Sequence, residues 1–155
     1  IEACQPGMPW VSMHEAVCVT IAEGLIELGV LNCTLEDALG RVAGKPGVFE
    51  GQIRNFFMHG TGHFLGLDVH DVGGGRQGDP NSSFLLEPGM VLTIEPGLYF
   101  GSWRNDILIP ERYAGIGIRI EDDVLVTEQG PFVLSSSCPK KLDEIEQIVG
   151  RGEHN

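Results

Sequence analysis

Residues 56–75 read FFMHGTGHFLGLDVHDVGGG and contain three of the five histidines of the chain. His59 and His63 are separated by Gly-Thr-Gly, and because each glycine costs a helix interior about 1 kcal/mol, we predict a strand end or tight turn here. His70 follows in LDVHDVG, where the mixture of apolar and polar residues predicts a short, half-buried strand or sheet edge. One such histidine is usually structural, but three together indicate a site, because imidazole is a common metal ligand and general acid or base.

The length and composition predict one globular domain. A chain of 155 residues buries roughly 70% of its unfolded surface in a single core. It contains no uninterrupted apolar stretch near the ~20 residues that cross a bilayer. Residues 1–4 lack the basic and apolar regions of a signal peptide, and the start at Ile1 instead of Met leads us to expect a piece of a longer protein.

The charge of the chain is strongly acidic. Twenty-two acidic and ten basic residues give a formal net charge of −12, which repels nucleic acid and anionic membrane surfaces, so we expect neither as a partner. Clustered carboxylates instead suit hard divalent cations. The cysteines form no C-x-x-C pair, which excludes a zinc ribbon or redox motif, and we expect reduced thiols in a cytoplasmic protein. These cysteines are Cys4, Cys18, Cys33 and Cys138.

The first third of the chain predicts two helices. Ser12 and Glu15 have the spacing of a capping box, which predicts a first helix that ends near Gly29. Thr34 begins the pattern of a second, short helix that extends through Leu39. We expect His14, near the start of the first helix, to lie on the surface. The first helix has apolar residues at helical spacing, namely Val17, Ile21, Leu25 and Leu28.

The second half of the chain predicts strands that carry two glutamates. Residues 89–94 predict a turn and a buried strand that leads into Glu95, whose carboxylate needs an arginine, a metal or a water-exposed strand end. Residues 115–127, GIGIRIEDDVLVT, predict another strand, in which the period of two places Arg119 and Glu121 on one face. An ion pair on a solvated face explains these two residues as well as a functional role does.

The remaining segments predict connections and a closing helix. We expect a loop or hairpin over residues 99–113, a short return strand at 131–134 and a helix at 142–149. The GGGR sequence at 73–76 lacks the phosphate-loop pattern and predicts only a turn. The polar residues 79–83 predict a loop at the rim of the site. The tail, residues 151–155, is expected to be frayed, which leaves residues 1–150 as the domain.

One imidazole from the histidine-rich bend and the two glutamates form a plausible ligand set for manganese, iron, cobalt or zinc. Three segments then resemble, in order and spacing, the pita-bread metallopeptidases of the Xaa-Pro aminopeptidase and prolidase type. The resemblance extends from about Pro6 to Val149 and implies an α+β fold, a partial pita-bread with a curved antiparallel sheet and helices on its outer face. The segments are FFMHGTGHFLGLDVHDVG at 56–73, LEPGMVLTIEPGLYF at 86–100 and GIGIRIEDDVLVT at 115–127.

The resemblance implies metal ligands and residues around the substrate. His63 and Glu95 would bind one metal ion, and Glu121 would bridge two. Glu95 would also be the general base. Manganese is the expected metal, with zinc, cobalt and iron as alternatives, and the complete family site holds two ions. His59 and His70 would contact the substrate and the developing tetrahedral intermediate. Arg119, beside the bridging glutamate, would complete the catalytic site.

The sequence departs from the family pattern at its start. Family members supply two aspartate ligands from strands that precede the helix expected here at Ser12, where the only earlier acidic residue is Glu2. We therefore expect about half of a pita-bread fold, which alone binds at most one divalent ion weakly and has little or no peptidase activity. The missing half would be a separate polypeptide, a cleaved segment or sequence beyond a fragment, and these three origins stay open.

Four functions fit the resemblance. The first is the catalytic half of a metallopeptidase that removes the residue before a proline at the second position of a peptide, and the second is a prolidase that cleaves Xaa-Pro dipeptides. A non-catalytic binding module and a metal-free, creatinase-like hydrolase are the others, and the retained histidines and glutamates argue against both. We also expect a homo-oligomer, or association with the missing half, because half a fold leaves a sheet edge uncovered.

Overall fold

The computed structural model of the chain describes residues 1–72, 84–102, 104 and 106–149. Three predicted features lie outside the described residues: the turn at 73–76, the polar loop at 79–83 and the frayed tail at 151–155. Within the described part, no helix is both long and apolar enough to cross a membrane.

Helix α1 spans Val11–Glu27, and it does not begin with the predicted capping box. Trp10 takes the N-cap position without a side-chain hydrogen bond. The carboxylate of Glu15 instead accepts a hydrogen bond of 3.0 Å from the backbone N–H of Gly47, because the 41–49 segment packs beside the first turns of the helix. The predicted stop is correct: the helix ends before Gly29, whose φ of 68° is a left-handed conformation that glycine adopts without a steric penalty.

Two further α-helices, both short, lie in the part of the chain that the structure describes. Helix α2 spans Leu35–Leu39, and Thr34 caps it by accepting a hydrogen bond from the N–H of Asp37, as the sequence predicts. Helix α3 spans Leu142–Ile148 near the end of the described chain, and all its residues are exposed. Two 3-10 turns, Gln52–Asn55 and Glu111–Tyr113, lie in the connections.

In the described residues, five strands form two antiparallel sheets, which confirms the predicted α+β class. One sheet has the order β1-β4-β5, and the other pairs β2 with β3. The predicted return strand at 131–134 is present as β5, and the segment from 99 to 113 leads from β2 into a loop. The strands are β1 Val91–Ile94, β2 Gly97–Tyr99, β3 Gly117–Arg119, β4 Asp122–Thr127 and β5 Gly130–Val133.

The single strand predicted at 115–127 is divided in two. β4 pairs with β1, with Ile94 opposite Asp122, whereas β3 pairs with β2, with Gly97 opposite Arg119. The exchange of partners occurs where Pro96, which has no N–H to donate, follows Glu95. The segments 95–96 and 120–121 therefore face each other at the junction of the two sheets, which places both glutamates there.

Residues 66–70 and 72 are exposed, so the half-buried strand predicted around His70 is wrong. The predicted alternative, a sheet edge, is limited to the bridge of Asp71 to Phe64. Phe64 forms antiparallel bridges to both Asp71 and Leu92, so the residues between 64 and 71 turn away from the sheet. Leu67 and Val72 are therefore almost fully exposed, at 103% and 94% relative accessibility. Alternation alone does not bury a residue when no layer covers it.

Two clusters of buried side chains hold the elements together. The first lies between α1, α2 and the Gln52–Asn55 turn, and the second joins the start of α1 to β1 and β4. Each contributes side chains with almost no exposed surface, and burying a large apolar side chain stabilises the fold by about 1.5–3 kcal/mol. Members of the first are Leu25, Leu39, Ile53 and Phe57, and members of the second are Cys4, Met13, Leu92, Val124 and Val126.

Candidate metal centre

His63, Glu95 and Glu121 lie together at the junction of the two sheets. Each offers one ligand atom, and these three atoms all lie within 4.8 Å of one another. In the part of the chain that the structure describes, this is the group of histidine and carboxylate side chains close enough to share an ion. His63 and Glu95 are largely buried, and Glu121 is exposed. The structure therefore brings all three predicted ligands to one place.

The bend at 59–63 is held against β1 by backbone hydrogen bonds. The N–H of Thr93 donates to the carbonyl of His63 at 2.8 Å, and the N–H of Glu95 donates to the carbonyl of Thr61 at 2.7 Å. Gly62 lies so close to β1 that a Cβ atom there would overlap the carbonyl oxygen of Thr93. The segment is thus not helical, as predicted; it bends and pairs with β1, and Gly62 is required for the close approach of the two backbones.

The hydrogen bonds of His63 leave one ring nitrogen for a cation. Its Nδ1 lies 2.9 Å from the carbonyl oxygen of Phe64. A carbonyl oxygen can only accept a hydrogen bond, so Nδ1 carries the hydrogen and donates it. In the neutral ring Nε2 then holds a lone pair, and it faces Oε1 of Glu95 at 3.2 Å. Two electron pairs in contact require a proton or a cation between them. The donor set therefore fits a divalent metal ion. The His63 ring is oriented as in most histidine ligands, by a hydrogen bond from its other nitrogen to a carbonyl.

Glu95 is contacted from several sides. The Thr93 hydroxyl accepts a hydrogen bond from the N–H of His63 and donates one to Oε1 of Glu95, at 3.0 Å and 3.1 Å. The other carboxylate oxygen lies 3.3 Å from the guanidinium of Arg119. Three explanations were open for a carboxylate at this strand end. The arginine is present and the other two candidate metal ligands are adjacent, while only 13% of the Glu95 side chain is exposed.

Tyr99 links Arg119 to His59, and sequence reasoning missed it. Nδ1 of His59 donates to the carbonyl of Gly60 at 2.7 Å, so Nε2 accepts from the Tyr99 hydroxyl at 2.9 Å. The Tyr99 oxygen in turn accepts from Nε of Arg119 at 2.9 Å, and this hydrogen bond raises the pKa of Arg119. The pattern EPGLY, which places a tyrosine four residues after Glu95, is the signal that could have revealed it.

His70 and His14 flank the cluster in different ways. The exposed ring of His70 packs edge-on against His63, with centroids 4.3 Å apart, although the strand predicted around it is absent. His14, expected on the surface, is half-buried, and its Nδ1 lies 2.8 Å from the Thr61 hydroxyl. That expectation was wrong because α1 packs against the 59–63 bend. Burial lowers the pKa of His14, an effect that nearby Glu15 opposes.

The arrangement has the features of a hydrolytic metal site. One imidazole and two carboxylates provide three ligands, the number that catalytic metal sites commonly use while they keep a position for water or substrate. Glu121 is exposed, so the site is accessible from solvent. His70 and Arg119 supply proton-bearing side chains beside it, which is where groups that stabilise developing negative charge have to lie, whereas Nε2 of His59 offers an acceptor.

The sequence model of metallopeptidase family M24 matches residues 1–128. Xaa-Pro aminopeptidase 1 of Streptomyces coelicolor is 43% identical over 147 residues, which are 95% of this chain and 28% of that protein. Xaa-Pro aminopeptidase of Escherichia coli is 43% identical over 94% of this chain and 30% of that protein. Xaa-Pro aminopeptidase 3 of Rattus norvegicus is 36% identical over 96% of this chain and 26% of its own length. The chain thus spans less than a third of these relatives.

Solved structures agree with the sequence relatives. Aminopeptidase P from E. coli with the inhibitor Pro-Leu matches 92% of this chain and 29% of its own, at 44% identity and a TM-score of 0.74. A zinc-substituted form of that enzyme in complex with product matches with the same values. The fold is therefore part of the pita-bread architecture, as the resemblance implied. This chain belongs to metallopeptidase family M24.

Proposed function

We propose that the chain carries the catalytic half of a peptidase that cleaves the bond between an N-terminal residue and a following proline. The observation that carries the proposal is the convergence of His63, Glu95 and Glu121 within 4.8 Å. The names of the relatives support the Xaa-Pro specificity, since those proteins are called Xaa-Pro aminopeptidases. Members of family M24 are metallopeptidases, and manganese is the proposed ion, with zinc, cobalt or iron as alternatives.

The residues have separate tasks in this proposal. His63, Glu95 and Glu121 would hold the ion, which when bound supplies Lewis acidity and acidifies a water molecule. The Glu95 carboxylate would take the proton from the attacking water, and Arg119, 3.3 Å from it, would keep it oriented. The exposed imidazole of His70 would donate to the peptide carbonyl oxygen as that oxygen gains negative charge.

His59 would contribute through its network. Its Nε2 accepts from Tyr99, which is fixed by Arg119, so the imidazole ring is held in one orientation at the edge of the site. A substrate N–H that reaches Nε2 would replace the tyrosine as its donor. This chain of hydrogen bonds makes His59 a group that binds and orients the peptide.

The proposal includes an incomplete site in this chain alone. Three ligands hold one divalent ion weakly, and a two-metal hydrolase needs more carboxylates to keep two dications close together. Association with a second copy, or with the polypeptide that makes up the rest of the relatives' length, belongs to the proposal. The apolar side chains of Ile118 in β3 and of Ile116 and Ile120 on either side of it are exposed at 58%, 41% and 50%, which supports such an interface. The free cysteines support a reducing compartment, the cytoplasm.

Calorimetric titration of Mn²⁺ into metal-stripped chain tests the ligand set. We expect one weak site that is lost in Glu121→Ala, because that variant removes one of the three ligands. Binding that is unchanged in Glu121→Ala would refute the set. Two tight sites in the unmodified chain would refute the claim that it is incomplete.

A peptide series tests the specificity of the assembled enzyme. Release of the first residue from Xaa-Pro peptides of increasing length, abolished by chelation, is expected for an aminopeptidase. Cleavage of dipeptides alone would favour a prolidase, and cleavage that survives chelation would refute a metal-dependent reaction.

A further inference from the structure

His14 connects helix α1 to the bend that carries the ligand His63. Its Nδ1 lies 2.8 Å from the hydroxyl of Thr61, across a sequence separation of 47 residues. Its ring packs against Phe49 and Phe57, with centroids 5.8 Å away in both cases, so the orientation of the imidazole is fixed by packing. The contact with Thr61 is therefore made by an imidazole that packing holds in one orientation.

The proton positions on His14 follow from its second partner. Nε2 lies 3.5 Å from Sγ of Cys18, one turn along the same helix. Burial raises the pKa of Cys18 to about 12, so the sulfur remains a thiol at neutral pH and donates to Nε2. Nδ1 then carries the hydrogen in the neutral ring and donates it to Thr61. Burial also lowers the pKa of His14, which keeps the ring neutral at physiological pH.

Thr61 passes this restraint on to both strongly buried ligands. Its carbonyl accepts the N–H of Glu95 at 2.7 Å. Gly62, which lies against the Thr93 backbone, is the single residue between Thr61 and His63. Thr61 is itself buried, with 4% of its surface exposed, so it has little room to shift without moving these neighbours.

We propose that His14 is a positioning residue of the metal centre, which fixes His63 and Glu95 by holding Thr61. The inference rests on the proposed function, because it assigns His14 a role in placing the ligands of that site. His14 contacts no ligand atom and takes no part in the chemistry. Replacing a residue that orients a metal ligand without touching the metal often lowers metal affinity about tenfold or more.

Four variants separate this role from simple stabilisation of the fold. His14→Leu removes the donor at similar volume, and His14→Asn keeps an N–H near the Nδ1 position. Thr61→Val removes the acceptor with little change of shape, and Thr61→Ser keeps the hydroxyl. Should His14→Leu fail to fold, Thr61→Val tests the same contact from its other side.

The first readout needs no metal. Amide hydrogen exchange is measured for Glu95 relative to Val126, whose N–H donates to Met90 in the β1–β4 sheet. We expect His14→Leu and Thr61→Val each to speed exchange at Glu95 about fivefold relative to Val126. The double variant should add little, because both remove the same contact. His14→Asn and Thr61→Ser should stay close to the unmodified chain. Equal acceleration at Glu95 and Val126 would overturn the inference.

The second readout is the affinity for Mn²⁺ by calorimetry. We expect about fivefold to tenfold weaker binding in His14→Leu and Thr61→Val, and near-normal binding in His14→Asn. If His14→Asn binds as weakly as His14→Leu, the hydrogen bond is not what matters and the inference is refuted. If the unmodified chain binds no Mn²⁺, the proposed function fails, and the exchange rates alone decide whether His14 holds the bend.

Discussion

Gly62 and Gly60 occupy similar places in HGTGH, yet replacing them by alanine should have very different effects. A Cβ at Gly62 would overlap the Thr93 carbonyl oxygen and lie 2.8 Å from its carbon, so the bend and β1 would have to separate. A Cβ at Gly60 would meet nothing within 4 Å. The neighbouring backbone is rigid, because it forms the hydrogen bonds that hold the bend. Gly62→Ala should therefore destabilise the protein, and Gly60→Ala should not.

The size of the effect follows from the contacts that would be lost. Forcing a methyl group into a packed position costs about 1–3 kcal/mol. Separation also breaks three hydrogen bonds, which cost about 1 kcal/mol each. They run from Glu95 N–H to the Thr61 carbonyl at 2.7 Å, from Thr93 N–H to the His63 carbonyl at 2.8 Å and from His63 N–H to the Thr93 hydroxyl at 3.0 Å. Gly62→Ala should thus lose about 4–6 kcal/mol of unfolding free energy. Gly60→Ala should change it by less than about 1 kcal/mol, with a gain as possible as a loss.

Urea unfolding followed by tryptophan fluorescence measures this difference. With the same m value in each protein, the midpoint gives the change in free energy directly. Mn²⁺ affinity measured on the same samples should fall at least about tenfold in Gly62→Ala, since both His63 and Glu95 would move. Equal midpoints for Gly62→Ala and Gly60→Ala would refute the close approach of the two backbones and the explanation of the bend.

Further predictions concern Thr93, His14 and two cysteines. Thr93→Val should lower the unfolding free energy by about 1–3 kcal/mol in urea, because the buried N–H of His63 loses its acceptor, and Thr93→Ser should not. As the pH falls below 6.5, His14 binds a proton in the unfolded chain, whereas in the folded chain its lowered pKa keeps it neutral. Stability should therefore decline with acid until the pH reaches that lowered pKa, and His14→Asn should flatten the decline. At pH 8 an alkylating reagent should modify exposed Cys138 quickly and Cys18, with a pKa raised to about 12, hardly at all by mass spectrometry. A fast reaction at Cys18 would contradict its burial.

The local elements were predictable because their signals are local. Thr34 caps α2 within one turn, and Gly29 ends α1 with its own backbone conformation. The buried strand before Glu95 was evident from a continuous apolar run between turn residues. The three candidate metal ligands came from long motifs and their resemblance to a family, since no spacing rule brings together side chains so distant in sequence.

The errors arose where distant packing decides the outcome. His14 looked like a surface residue because its partner Thr61 is 47 positions away. The strand at 115–127 looked continuous, and its break at 120–121 depends on Pro96, which lies between β1 and β2 and whose carbonyl accepts the N–H of Ile120. The alternating residues around His70 resembled a strand, but the bridges of Phe64 turn them outward.

The junction where 95–96 faces 120–121 also has a consequence for folding. Side chains of a strand alternate between faces, so a slip of β4 by one residue along β1 would carry Glu121 to the wrong side of the sheet. The present register is set by Ile94 opposite Asp122 on one side and Gly97 opposite Arg119 on the other. A divalent ion would bind only when both pairings are correct. A bound ion would therefore stabilise only the correctly paired chain and would slow its unfolding much more than it speeds its folding.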